Sequence, residues 1–152
     1  MMDIAAKPYP GANATPLEIV GLAVEYHMAA EMLMLKGRSR KPASWAPARL
    51  CAIHATELYL NAFLLNRGMP PEKVRAHLHN LADRARLAVD DGLVLRKLTF
   101  AHLIKMTDDR EYLVSRYGPE LSGTLSETNR LMATLNEVAK KVKSHLQLLN
   151  SA

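Results

Sequence analysis

The segment "RLCAIHATELYLNAFLLNRG", residues 49–68, decides the fold. Its Leu, Ile and Phe residues spread around most of the circumference of a helix, which is typical of a helix in the centre of a domain. Pro47 fits the first turn of this helix, Gly68 fits its carboxyl end, and the Met-Pro-Pro that follows prevents the helix from continuing. We therefore predict a central helix that begins near residue 47 and ends near residue 67.

The composition of the whole chain favours an all-α domain. The chain has 152 residues, enough for one hydrophobic core, and 49% of them are hydrophobic but only 5% aromatic. Leu, Ala and Met are more common than the β-branched residues that strands prefer. The sequence has neither an apolar run long enough to span a membrane nor the apolar segment of a signal peptide, and its single Cys51 forms no internal disulfide. We expect a cytoplasmic protein without a membrane partner.

Four further helices follow from hydrophobic periodicity and from residues that cap helix ends. They are predicted at 16–36, at 72–91 with a break near 77–80, at 93–107 and at 124–149. Thr15 and Glu18 form a capping box before the first of them, and "TLSE" at 124–127 does the same for the last. We expect a flexible arm over 1–14, a partly ordered connection over 107–123, and a single domain over 15–150.

The charge of the chain allows a polyanionic partner but does not require one. The net charge is +5, and 15 acidic residues are interspersed among 20 basic ones. The basic segment "KGRSRK", residues 36–41, is either a phosphate-binding loop or a solvated connection between helices. No glycine-rich phosphate loop is present, and His77 and His79 are too few for a metal site. We predict neither a cofactor nor a bound metal.

A stripe of polar residues interrupts the central helix. His54, Glu57 and Asn61 are spaced at i, i+3 and i+7, so their side chains share one face. Buried polar side chains need partners, and a hydrogen-bond network to a neighbouring segment, for example through Arg116 or Tyr117, is one interpretation. The other interpretation is a polar pocket for a nucleotide or small ligand.

Three segments of the chain resemble the HEPN family, the higher eukaryote and prokaryote nucleotide-binding helical domains. They are "HATELYLNAFLLNRG" (54–68), "HNLADRARLAVDDGL" (79–93, with Asn80 where Asp is usual) and "SRYG" (115–118). The resemblance implies an up-and-down bundle of four to five helices, commonly a homodimer. It also implies binding of a nucleotide, RNA or a protein partner such as a nucleotidyltransferase. The ligand-binding residues we predict are His54, Glu57, Asn61, His79, Arg116 and Tyr117.

The same resemblance implies an alternative function, metal-independent RNA cleavage by a toxin or defence protein. Family ribonucleases use an Arg followed by His after four to six residues, because the Arg stabilises a charged transition state while the His transfers protons. Arg96 with His102 is the better match here, and Arg49 with His54 is the other. Positions five or six apart diverge by about 140° or about 120° around a helix. We therefore predict a noncatalytic binding module and keep the ribonuclease as the alternative.

Overall fold

The structure is a computed structural model that describes residues 7–147, and this part of the chain is all-α, without a strand. Its helices are α1 (Pro16–Met34), α2 (Ala46–Asn66), α3 (Pro71–Arg75), α4 (Leu81–Asp90), α5 (Lys97–Asp108), α6 (Glu111–Tyr117) and α7 (Thr128–His145). Two 3-10 turns cover Pro42–Trp45 and Pro119–Thr124. The predicted all-α class is confirmed. The first six residues of the predicted arm and the predicted end of the last helix lie outside the described residues.

The helix α2 lies at the centre of the fold, as its sequence predicts. The helix α1 packs along one side of it, and α4, α6 and α7 cover the others. Buried residues follow one another along almost its whole length, including the fully buried Tyr59, Leu60 and Phe63. Because α2 contacts several other helices, its polar side chains are positioned by more than one element at once.

The ends of three helices follow the predicted capping residues. The Thr15 hydroxyl accepts a hydrogen bond from the Glu18 amide at 3.1 Å, and the Glu18 carboxylate accepts one from the Thr15 amide at 3.0 Å. This capping box begins α1, which ends at Met34, two residues before its predicted end. Gly68 and Gly92 follow α2 and α4 with φ of 96° and 108°, a region that glycine adopts without steric cost.

Replacing Thr15 with Ala should lower the free energy of unfolding by about 1 kcal/mol, because the amide of Glu18 loses its acceptor. Urea denaturation measures this change. Thr15→Ser keeps a hydroxyl at the cap and should stay close to the wild type. Equal stabilities of the Ala and Ser variants would show that the capping box contributes nothing.

The third predicted helix is two helices, α3 and α4, with the break in the expected place. Leu78 has a φ of 48°, in the left-handed region, and turns the chain between them. The Asn80 side chain then accepts a hydrogen bond from the Asp83 amide at 2.9 Å and caps α4. The next helix, α5, begins at Lys97 instead of 93, since Leu93 is buried and the Arg96 amide donates to the Glu137 carboxylate at 2.8 Å.

The structure differs from the sequence-based predictions in the connection predicted over 107–123 and in the predicted start of the last helix at 124. The stretch contains the ordered helix α6, which begins after Arg110 turns the chain with a φ of 50°. The final helix begins at Thr128 instead of 124, because the backbone and hydroxyl of Ser126 both donate to the Glu111 carboxylate. This contact holds the residues before α7 outside the helix. The described residues therefore have more helices than the predicted four to five, although several are short.

Candidate ligand pocket

A pocket of about 530 Å³ opens on one side of α2. Its volume lies within the range of small-molecule sites in proteins. Its walls are mainly apolar, from Ile19, Leu22, Leu58, Leu65, Val74 and Leu78, and its polar side chains are His54, Glu57, Asn61, Arg75, His79 and Arg84. The pocket thus combines mainly apolar walls with a small set of converging polar groups.

The Glu57 carboxylate is the centre of the polar cluster. Its Oε2 lies 3.4 Å from His54 Nδ1, and its Oε1 lies 3.3 Å from His79 Nδ1 and 3.5 Å from an Arg84 guanidinium nitrogen. Burial by itself would raise the pKa of Glu57, but the hydrogen bond with His54 and the charges of Arg84 and His79 together lower it. Glu57 is therefore ionised at neutral pH and acts as a hydrogen-bond acceptor.

Arg84 fixes the geometry of this cluster from α4. Its side chain is only 2% exposed. Its Nε donates to Asn61 Oδ1 at 2.6 Å, and its terminal nitrogens donate to three backbone carbonyls of residues 74–80 at 3.3–3.4 Å. Burial lowers the pKa of Arg84, and the Glu57 carboxylate offsets part of this effect. One guanidinium thus connects the polar face of α2 to the α3–α4 segment.

The two histidines are held in place but stay accessible. The His54 ring packs edge-on against Tyr26, and the His79 ring packs against Tyr112, with ring centroids 4.5 Å and 5.0 Å apart. Their side chains are 31% and 44% exposed. Each Nδ1 lies against Glu57, and neither Nε2 has a hydrogen-bond partner within residues 7–147. Both imidazoles are therefore available to a ligand.

The N-terminal segment contributes to the wall of the pocket. Residues 9–12 line it, and the Ala12 amide donates to the Tyr9 carbonyl at 2.9 Å to close a turn. The Tyr9 ring lies 4.2 Å from the guanidinium carbon of Arg75, a cation–π contact. Arg75 is half-buried and supplies a positive charge to the wall.

The structure gathers four of the predicted ligand-binding residues at this pocket and leaves two elsewhere. His54, Glu57, Asn61 and His79 all line it, whereas Arg116 and Tyr117 do not. Both of those residues are exposed on α6, and Tyr117 is 75% exposed. The polar stripe of α2 has Arg84 as its partner in place of these two.

Arg84 was missed because an arginine in an amphipathic segment is usually solvated. A signal was nevertheless present in its spacing. Arg84 lies at i+3 from Leu81 and next to Ala85 and Ala88 on the apolar face of its helix. An arginine on a buried face requires a buried acceptor, and the polar stripe of α2 offered one.

The predicted catalytic pair Arg96 and His102 lie in different surroundings. The Arg96 side chain is 84% exposed, and its Nε lies 3.6 Å from Glu137. His102 is buried, and its Nδ1 lies 2.6 Å from the Thr134 hydroxyl. Burial, followed by the charges of Arg130 and Arg49, lowers the pKa of His102 to about 4. The structure does not bring these two side chains to one accessible point.

The side chains of the alternative pair, Arg49 and His54, contact different carboxylates. Arg49 is buried, and one of its terminal nitrogens donates to the Glu111 carboxylate at 3.3 Å. His54 lies against Glu57 in the pocket. Burial lowers the pKa of Arg49 and raises that of Glu111. Arg49 therefore belongs to a buried ion pair between α2 and α6, away from the accessible imidazole.

Comparison of the chain with protein-family models, with curated proteins and with solved structures found no match. Within residues 7–147, no group of three or more His, Cys, Asp or Glu side chains has an arrangement that could hold a metal ion. In that same part of the chain, every helix is too short or too polar to cross a membrane.

Proposed function

We propose that this chain is a noncatalytic, HEPN-like binding module whose pocket binds a nucleotide. In this proposal the longer helices form the four-to-five-helix bundle of the family. One observation carries the proposal: His54, Glu57, Asn61 and His79 converge with the buried Arg84 on an apolar pocket of about 530 Å³. A pocket of this size with a few convergent polar groups is the usual form of a small-molecule site.

The chemistry of the walls suits a ligand with a planar base and an anionic group. The ionised Glu57 carboxylate accepts hydrogen bonds from the amino and imino groups of a base. Apolar side chains such as Leu58 and Leu65 pack against its faces. The positive charge of Arg75 suits a phosphate group, and the accessible Nε2 atoms of His54 and His79 suit hydroxyl or amino donors of the ligand.

Titration calorimetry with a panel of nucleoside monophosphates and triphosphates tests the proposal. We expect at least one of them to bind, and we expect Glu57→Gln to weaken its binding by a factor of about 10 to 150, since a hydrogen bond to a charged group contributes about 1.5–3 kcal/mol. His79→Ala provides a second variant at a half-exposed position. Glu72→Gln is the control, because Glu72 is exposed and outside the pocket.

Two results would contradict nucleotide binding at this pocket. If no nucleotide binds the folded wild type, the cluster around Glu57 is an internal hydrogen-bond network and the proposal fails. Binding that is unchanged in both Glu57→Gln and His79→Ala would place the ligand elsewhere. Circular dichroism of each variant shows that it is folded before its affinity is compared.

The proposal includes a homodimer, which static light scattering tests directly. A mass of about 17 kDa, that of the 16.9 kDa chain, at all concentrations would remove it. A nucleotidyltransferase-type partner is a further expectation from the resemblance. Nucleotide binding and dimer formation are measured independently, so a negative result for one does not contradict the other.

RNA cleavage is the second candidate function, and one observation favours it. His54 and His79 present two accessible imidazoles on either side of one carboxylate, and a pair of imidazoles serves as acid and base near neutral pH. Incubation of the protein with structured and single-stranded RNAs in the presence of a chelator tests this function. Cleavage that both His54→Ala and His79→Ala abolish would support it, and intact RNA in every case would exclude it.

A further inference from the structure

An apolar stripe is exposed along the outer face of α1. Leu17, Met28, Met32 and Leu35 are 59%, 52%, 69% and 85% exposed. Together with Gly21 they lie within a sector of about 60° when residues are placed about 100° apart around the helix. A Cβ added at Gly21 would meet nothing within 4 Å, so this face is open. An exposed apolar stripe of this kind is typical of a surface that binds another chain.

The stripe is bordered by acidic side chains. At about 100° per residue, Glu18 and Glu25 lie on one side of it and Glu31 lies on the other. The helix α1 contains no Lys or Arg, although the whole chain has a net charge of +5. All three glutamates are exposed. The outer face of α1 is therefore apolar in the middle and carries glutamates on both borders, of which Glu18 also caps the helix and Glu31 lies 3.4 Å from His27.

We propose that this face binds a basic amphipathic helix of a partner protein. The matching helix has an apolar stripe with Lys or Arg on both sides of it. In paired helices the residues that border the apolar seam select the partner by their charge. Gly21, which lacks a side chain, lets the backbone of the partner helix approach closely at that point.

The charges argue against other occupants of this face. Two copies of α1 packed on each other would bring glutamates together along the seam, which is unfavourable. The helix α7 carries Lys140, Lys141 and Lys143, but most of its large apolar residues are buried in its own bundle, so α7 of a second copy has no exposed apolar stripe to offer. The segments 1–6 and 148–152 contain no Lys or Arg.

A pair of synthetic helical peptides tests the proposal. Both carry the same leucine stripe, and the residues that border it are Lys in one peptide and Glu in the other. We expect fluorescence anisotropy to show that the wild-type protein binds the Lys peptide about tenfold more tightly than the Glu peptide, and that added salt reduces the difference. Glu25→Lys/Glu31→Lys should reverse the preference, and Met28→Asp/Met32→Asp should abolish binding of the Lys peptide.

Three outcomes would overturn the proposal. They are the absence of binding to the Lys peptide, equal binding of both peptides, and a preference that the double Lys variant does not reverse. A homodimer that Met28→Asp/Met32→Asp dissociates would also overturn it, because a second copy would then occupy the face. These positions are exposed, and circular dichroism of each variant shows that α1 stays folded.

Discussion

Replacing Arg84 with Met should lower the free energy of unfolding by about 3–5 kcal/mol, the usual cost of removing one partner of a buried ion pair. The methionine keeps most of the apolar volume but none of the donors. The Glu57 carboxylate then loses its strongest positive neighbour, and the Asn61 side chain loses the hydrogen bond from the guanidinium. Three backbone carbonyls also lose their bonds to Arg84, but each keeps a backbone amide as a donor. Each buried acceptor without a donor adds to the cost.

Urea denaturation measures this effect, and the chain offers a matched control on the same helix. Arg86 pairs with Asp83 at 3.3 Å, but its side chain is 53% exposed, so Arg86→Met should cost less than about 1 kcal/mol. Adding Glu57→Gln to Arg84→Met should recover part of the loss, because no unpaired charge is then buried. Equal losses for Arg84→Met and Arg86→Met would show that the guanidinium does not hold the pocket together.

A fall in stability at mildly acidic pH is the second large effect that we expect. The pKa of His102 is lowered to about 4 in the folded protein, mainly by burial, from an ordinary value of 6.5. Below pH 6.5 the unfolded chain binds a proton at this residue that the folded protein does not accept. The contribution of His102 is therefore complete above pH 6.5 and is lost as the pH falls towards 4. The loss is about 3 kcal/mol, at about 1.4 kcal/mol for each pKa unit.

The variant His102→Gln isolates this contribution. Glutamine does not titrate, and its amide is able to bond with the Thr134 hydroxyl that His102 contacts. We expect the free energy of unfolding of this variant to change much less than that of the wild type between pH 7.5 and 4. Identical slopes for wild type and His102→Gln would contradict a buried, neutral His102.

The central helix and the shared polar face were predictable because both depend on spacing within one segment. The leucines are distributed around the whole of α2, which predicts a helix that packs against several others. The spacing from His54 to Asn61 predicts that the polar side chains lie on one face of the helix. The partners of that face were not predictable in the same way. Arg84 and His79 are more than 20 positions from Glu57 in the sequence. The packing of α4 and the turn before it against α2 brings them close to its carboxylate.

The start of the last helix also depends on a contact that the sequence does not reveal. The text "TLSE" has the residues of a capping box, and local preferences alone would start the last helix at 124. The Glu111 carboxylate takes both donors of Ser126, and the helix starts at Thr128 instead. A contact across 15 positions outweighed the local signal, and such a contact leaves no periodic trace in the sequence.

A helix that is buried along most of its length also leaves little freedom for change during evolution. Most positions of α2 from Ala48 to Leu64 are in contact with a neighbouring element, so a larger side chain meets resistance and a smaller one leaves a void. Substitutions there that change the volume of a side chain cost least when they occur together with compensating changes in α1, α4, α6 or α7. Related sequences should therefore differ most in their outer loops. The residues of α2 should change slowly, and together with the residues that they contact in other helices.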